Sequence, residues 1–114
     1  METKILKTDD ESIAEAGRIA AQGGLVAFPT ETVYGLGASA YDETSVARIY
    51  AAKGRPSDNP LIVHIADISD IDRLAESVSA EARRPIEAFM PGPFTIILKK
   101  SAIVPDAVTA GMDT

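Results

Sequence analysis

The sequence contains no cysteine, no tryptophan and a single histidine, His64. Without thiols it can build neither a disulfide scaffold, nor a Cys-ligated zinc site, nor a thiol nucleophile. His64 is then the only imidazole available to carry protons near neutral pH. No HisGluxxHis spacing or similar ligand set occurs, which argues against a protein-caged transition metal, and the lack of GlyLysSer or GlyLysThr excludes a P-loop. No apolar run approaches the ~20 residues of a membrane helix, and the start METKILKTDD has no signal-peptide core. These absences agree with a reducing, cytoplasmic setting and no membrane. Cations are also scarce, 11 Lys and Arg against 17 Asp and Glu for a net charge of −6. That balance argues against a surface that is basic throughout, while leaving room for a local cluster that holds phosphate.

What is present is an ordinary globular composition, 46% apolar and 25% charged over 114 residues, enough for one domain with a packed core. Helix-like and strand-like stretches alternate without internal repeats, which predicts an α/β or α+β fold. Thr8 and Glu11 are spaced as a capping box, Ile13, Ala16, Ile19 and Ala20 form an apolar stripe, and Gly23-Gly24 supplies a stop. The first helix is therefore expected over 9–22. Leu25 to Phe28 reads as a short buried strand ended by Pro29. PTETVYGLGASA at 29–40 fits neither period and is expected to be an ordered loop. Asp42 is the expected N-cap of a second helix carrying Val46, Ile49, Tyr50 and Ala52 and ending at Gly54. Beyond a turn-rich 55–60, strands are predicted at 61–66 and 94–98 and helices near 69–78 and 79–90, with Pro85 perturbing the last. Val104, Ala107, Val108 and Met112 have the pattern of residues that pack against something.

Two clusters could carry chemistry. Lys53 and Arg55 are cations one glycine apart at a helix C-terminus, able to neutralise phosphate as a point charge and a bidentate fork. Complementing the helix dipole is the competing reading. His64 lies on an otherwise apolar strand, sharing a face with Ile62 and Ala66, where a ligand role and a hydrogen-bonded structural role both remain open. In the loop after the first strand, Thr30, Thr32 and Tyr34 supply hydroxyls and Glu31 a carboxylate, and Gly35 and Gly37 would let a ligand approach the backbone. Gly35, Gly37 and Ala40 match G-x-G-x-x-G/A, but displaced from any strand-to-helix turn. Ser39, Ser45 and Ser57 have no general base at a recognisable spacing, so a triad hydrolase is not supported.

Four stretches together, FPTETVYGLGASA at 28–40, AAKGRPSDNPLIVHI at 51–65, PGPFTIILKK at 91–100 and VPDAVTAGMDT at 104–114, closely resemble the threonylcarbamoyl-AMP synthases of the YrdC type. The resemblance covers nearly everything from Gly23 onward. It implies a twisted mixed β-sheet flanked by helices around a concave, positively charged cavity. It also implies a nucleotidyltransferase that joins L-threonine, bicarbonate and ATP into threonylcarbamoyl-adenylate and pyrophosphate, with Mg²⁺ held mainly by the phosphates and no metal site built from protein side chains. The product would feed a transferase complex that modifies tRNA. By the same resemblance Thr30, Tyr34 and His64 serve L-threonine, Lys53 and Arg55 are the catalytic phosphate contacts, and Thr114 supplies a hydroxyl to the nucleotide. Family members are longer. Their later Ser-x-Asn motif and an arginine just past the position of Thr114 have no counterpart here, so residues 1–114 are expected to be the N-terminal portion of one synthase domain, incomplete for catalysis on its own. Two further classes fit parts of the pattern: a tRNA- or double-stranded-RNA-binding module of the same fold without catalysis, which the acidic balance disfavours, and a maturation factor for carbamoylated metal cofactors, which the absence of cysteine disfavours.

Overall fold

The computed structural model describes residues 2–54 and 56–114; Arg55 lies outside the described residues. The elements run α1 (Asp10–Ala21), β1 (Val26–Phe28), β2 (Gly35–Gly37), α2 (Glu43–Lys53), a 3-10 turn (Ile68–Asp70), α3 (Ile71–Leu74), α4 (Ala80–Phe89) and α5 (Asp106–Thr109). They fall into two compact units, Met1–Pro56 and Ser57–Thr114.

In the first unit, the helix start differs from the predicted capping box by one residue. Asp9, not Thr8, is the N-cap, and its carboxylate accepts the Ser12 amide at 2.8 Å. An ionised oxygen is the stronger acceptor for amides at the positive end of a helix dipole. The stop is the predicted one. Gly23, at φ 90°, and Gly24 return their amides to Ala20 (3.1 Å) and Ile19 (2.8 Å), the paired bonds of a Schellman turn. Ile13 is exposed, and the packed face of α1 runs instead through Ser12, Ala16, Ile19 and Ala20.

β1 pairs antiparallel with β2 in the register Val26↔Gly37, Ala27↔Leu36 and Phe28↔Gly35. The stretch expected to be all loop thus contains a strand. Two glycines and one leucine carry little β-propensity, and what recruits them is the partner. The Phe28 ring lies across both glycines, so a Cβ at Gly35 would stand 2.8 Å, and one at Gly37 2.9 Å, from ring atoms. β1 is less buried than predicted, with Ala27 and Phe28 exposed. Asp42 caps α2 as expected, accepting the Thr44 amide at 3.0 Å, and Gly54 ends it at φ 60°. Ser45, Val46, Ile49 and Tyr50 are buried, while Ala52 faces out.

In the second unit the predicted strands at 61–66 and 94–98 are absent. Both segments nonetheless alternate half-buried and exposed positions with a period of two: Leu61, Val63 and Ile65 in, Ile62, His64 and Ala66 out; then Phe94, Ile96 and Leu98 in, Thr95 and Ile97 out. β-branched side chains encode such alternation, but a strand also needs a hydrogen-bonded neighbour. Among the described residues these segments have no ladder; the amide of Leu61 bonds the Val108 carbonyl at 2.9 Å. The real pairing lies just beyond. Ala75 bridges Lys100, Glu76 N–H bonds Lys99 O at 2.8 Å, and Ser101 N–H bonds Leu74 O at 2.7 Å. This pairing also shortens the helix predicted to reach residue 78, since Ala75 leaves the helical region (ψ 145°) to meet Lys100. α4 starts at the Ser79 cap and runs through Pro85 to Phe89, although Pro85 has no amide to offer the Glu81 carbonyl. Ile71, Ala75 and Ile86 form the core, covered by Ile65, Ile68, Val78, Met90, Ile96 and Leu98. Val104 and Val108 are buried as their pattern suggested, whereas Met112 is exposed.

Candidate functional site

The 29–34 loop is the tip of the β1–β2 hairpin, placed by the three-residue ladder on either side. Thr30 organises it. Its hydroxyl donates to the Val33 carbonyl and accepts the Thr32 amide at 3.2 Å, with the Thr32 hydroxyl 3.5 Å away. A threonine hydroxyl has one proton and two lone pairs. With the proton committed to Val33, Thr30 meets anything outside as an acceptor. Glu31, Val33 and Tyr34 are exposed around it. At Gly35 and Gly37 the side on which a Cβ would stand is filled by the Phe28 ring. Phe28 itself keeps 38% of its surface exposed.

Lys53 is the last residue of α2 and is exposed. Among the described residues its ammonium takes part in no ion pair, unlike Lys4, Arg83, Lys99 and Lys100, which pair with Glu15, Asp72, Glu76 and Asp106. An exposed cation at the end of a capped helix is open to an anionic ligand. Arg55, its predicted companion, lies outside the described residues.

The second unit carries His64 and Thr114. His64 is exposed and its Nδ1 lies 3.2 Å from the Ile62 carbonyl. A hydrogen on Nδ1 is donated to that carbonyl, so the neutral ring offers Nε2 as an acceptor and the protonated ring offers it as a donor. Thr114 is exposed and follows Asp113, whose carbonyl accepts the Lys100 amide at 2.7 Å. The Leu61–Val108 bond ties the segment of His64 to α5, and the left-handed Ala110 (φ 53°) and Gly111 (φ 80°) redirect the chain from α5 toward Thr114.

A surface groove of about 350 Å³ in this unit, lined by Glu76, Lys99, Lys100, Ser101, Ala102 and Asp113, contains none of the predicted residues. Its cations are already paired, Lys99 to Glu76 at 2.9 Å and Lys100 to Asp106 at 3.0 Å. Hydrogen bonding to Glu76 holds the Lys99 ammonium above its ordinary pKa. Ser45, for which the sequence offers no general base, is a structural residue here. Its hydroxyl faces the Asp42 carboxylate and the Gly23 carbonyl, with no imidazole. Its structural role was missed, since nothing in the sequence links Ser45 to a carbonyl 22 residues away. Among the described residues no group of His, Asp and Glu is arranged to hold a metal ion, and no helix is long and apolar enough to cross a membrane.

Similarity to known proteins accords with these features. The Sua5/YciO/YrdC family, described as telomere recombination, matches residues 18–114. The threonylcarbamoyl-AMP synthase of Pyrococcus abyssi is 56% identical over 93 residues, covering 82% of this chain and 27% of that protein. The Bacillus subtilis enzyme of the same name is 51% identical over 114 residues, covering 98% of this chain and 33% of the enzyme. The crystal structure of P. abyssi Sua5 complexed with L-threonine superposes with a TM-score of 0.86 at 50% identity, over 94% of this chain and 32% of that one. The chain therefore spans about a third or less of the length of these relatives. With the family matched over most of its length and relatives more than half identical, this chain belongs to the Sua5/YciO/YrdC family.

Proposed function

We propose that this chain is the substrate-gathering part of a threonylcarbamoyl-AMP synthase, which condenses L-threonine, bicarbonate and ATP. The observation that carries the reading is the match, at 50% identity, to a structure solved with L-threonine, together with an intact hairpin loop at Thr30 and an unpaired Lys53. The chemistry needs no protein nucleophile. The threonine amine attacks the bicarbonate carbon, water leaves, and an oxygen of the resulting carbamate attacks the α-phosphorus of ATP as the bond to pyrophosphate breaks. Binding, orientation and neutralisation of charge suffice for both steps.

Each residue then has a task that matches its chemistry. Thr30 accepts a hydrogen bond from the threonine substrate, and Tyr34 walls the pocket. His64, donating through Nε2 when protonated, serves the threonine carboxylate. Lys53 and Arg55 neutralise the phosphate oxygens as the carbamate attacks, and Thr114 supplies a hydroxyl to the nucleotide. Mg²⁺ would arrive with ATP, held mainly by phosphate oxygens. In this reading the enzyme is cytoplasmic and its product is consumed by a tRNA-modifying transferase complex. Contact with tRNA or double-stranded RNA would depend on local cations, given the net charge of −6.

The test is formation of threonylcarbamoyl-AMP and pyrophosphate from the three substrates. Lys53→Ala and Arg55→Ala are each expected to slow it by about 10²-fold, as for other lost transition-state charge contacts. Pyrophosphate release unchanged in both variants would refute the assignment.

A further inference from the structure

Gly23 is the left-handed residue that turns α1 into β1, and its carbonyl is gripped from α2. Arg48 Nη1 donates to it at 3.0 Å, and Ser45 Oγ lies at the same distance. Ser45 also lies 2.5 Å from the Asp42 carboxylate. The single hydroxyl proton of Ser45 is shared between two acceptors, the Asp42 carboxylate and the Gly23 carbonyl. The guanidinium of Arg48 makes good what the carbonyl would otherwise lack. The join has no slack: Ser45 is 1% exposed, and a Cβ at Gly23 would stand 3.2 Å from both Asp42 Oδ2 and Ser45 Oγ.

Ser45 and Arg48 lie in the first half of α2, with Asp42 as its N-cap, while Lys53 is its last residue. Gly23 lies three residues before β1, which leads directly into the Thr30 loop. A rigid helix carries any change of direction at one end to the other, and Lys53 lies ~7 Å along the axis from Arg48 at 1.5 Å per residue. We infer that Ser45 and Arg48 are positioning residues: by clamping the Gly23 carbonyl they set where the Lys53 ammonium stands relative to the 29–34 loop. Neither is proposed to touch substrate. The functional importance of that spacing rests on the synthase reading above, whereas the spacing itself does not.

Two measurements separate the two claims. Because the chain has no native cysteine, spin labels can be placed at Glu31→Cys and Ala52→Cys, on the loop and near the end of α2. Electron paramagnetic resonance should give one narrow distance distribution in the parent. Arg48→Met, a surface change that leaves the core intact, should broaden or shift it, and Arg48→Lys should restore it. Ser45→Ala should act in the same direction. A distribution unchanged in both Arg48→Met and Ser45→Ala overturns the inference, whatever the ligand. In calorimetric titration with ATP, Arg48→Met should weaken binding about tenfold at an unchanged threonine affinity, and have no further effect in a Lys53→Ala background, the signature of residues that act through one another. Additive losses in that double variant would overturn the link to Lys53. If Lys53→Ala leaves ATP affinity unchanged, the phosphate role given to Lys53 in the synthase reading fails, while the label distances still decide the positioning claim.

Discussion

In the Met1–Pro56 unit, order comes from the backbone and its caps: a hairpin ladder, a Schellman turn, and a helix clamped to one carbonyl. In the Ser57–Thr114 unit, two β-branched segments keep strand-like alternation without a ladder, and Ile65, Ile96 and Leu98 from their inner faces pack onto Ile71, Ala75 and Ile86. The contrast separates two meanings of β-propensity. Side-chain alternation is a property of one segment, whereas a strand is a property of two. Val-, Ile- and Phe-rich stretches in the second unit satisfy only the first condition, and leave Ile62 66% and Ile97 78% exposed on their outer faces. GlyLeuGly in the first unit satisfies the second with almost no propensity, because Phe28 fills the space its glycines leave.

If the second unit depends on side-chain burial, Ile86→Ala should be the most damaging change, because Ile86 is 1% exposed at the centre of that core. A loss of about 2–5 kcal/mol in denaturant unfolding is expected, from lost transfer energy and the cavity together. A loss below about 1 kcal/mol would show that the core does not carry this unit. Next in size is Gly35→Ala, which attacks the ladder of the first unit by driving a Cβ to 2.8 Å from the Phe28 ring. Overpacking of this kind costs about 1–3 kcal/mol, and Phe28→Leu should relieve part of it in the double variant. Equal costs with and without the ring would dissociate Gly35 from Phe28.

Ser79→Ala removes the side-chain bond to the Ala82 amide at the start of α4 and should cost about 1 kcal/mol. If it costs nothing, packing of Ile86 alone holds that helix. The smallest effect is expected from charge at the caps of the first unit. Hydrogen bonds from Ser12 to Asp9, and from Ser45 to Asp42 against an opposing effect of burial, hold both carboxyls below their ordinary pKa. The stability these groups contribute is thus fully present above the ordinary carboxylate value and is lost as pH falls through the lowered one. Asp9→Asn and Asp42→Asn keep a capping oxygen, so they should change neutral-pH stability little and flatten the acid limb of an unfolding titration. An acid limb unchanged in both variants would mean the loss of stability originates elsewhere.

The same contrast explains what could be read in advance. α2 was legible to the residue, because Asp42 and Gly54 are local signals that act on amides and carbonyls within one turn. α1 was legible to within its cap. The helix predicted to reach residue 78 was not, since beyond Ala75 the Glu76 amide bonds the Lys99 carbonyl and the Leu74 carbonyl accepts the Ser101 amide, partners more than twenty residues onward. The candidate site divides similarly. Thr30, Lys53 and His64 were identifiable by residue type and motif, and Thr114 only through the family resemblance. What Thr30 can offer was not, because the direction of its proton depends on the Val33 carbonyl. Nor was the use of Gly35 and Gly37, whose open space is filled by a ring from the neighbouring strand.

The sequence by itself determined α2 with both its ends, the course of α1 and the start of α4, the absence of thiol chemistry, and the four motifs that mark the family. Each of these rests on residue identity or on contacts within a few positions along the chain. Only the tertiary structure decided which apolar segment becomes a strand, which carbonyl Ser45 and Arg48 grip, and which lone pairs Thr30 leaves free. Those outcomes depend on hydrogen-bond partners distant in sequence or on the direction of a single proton, and a composition or period carries no record of either.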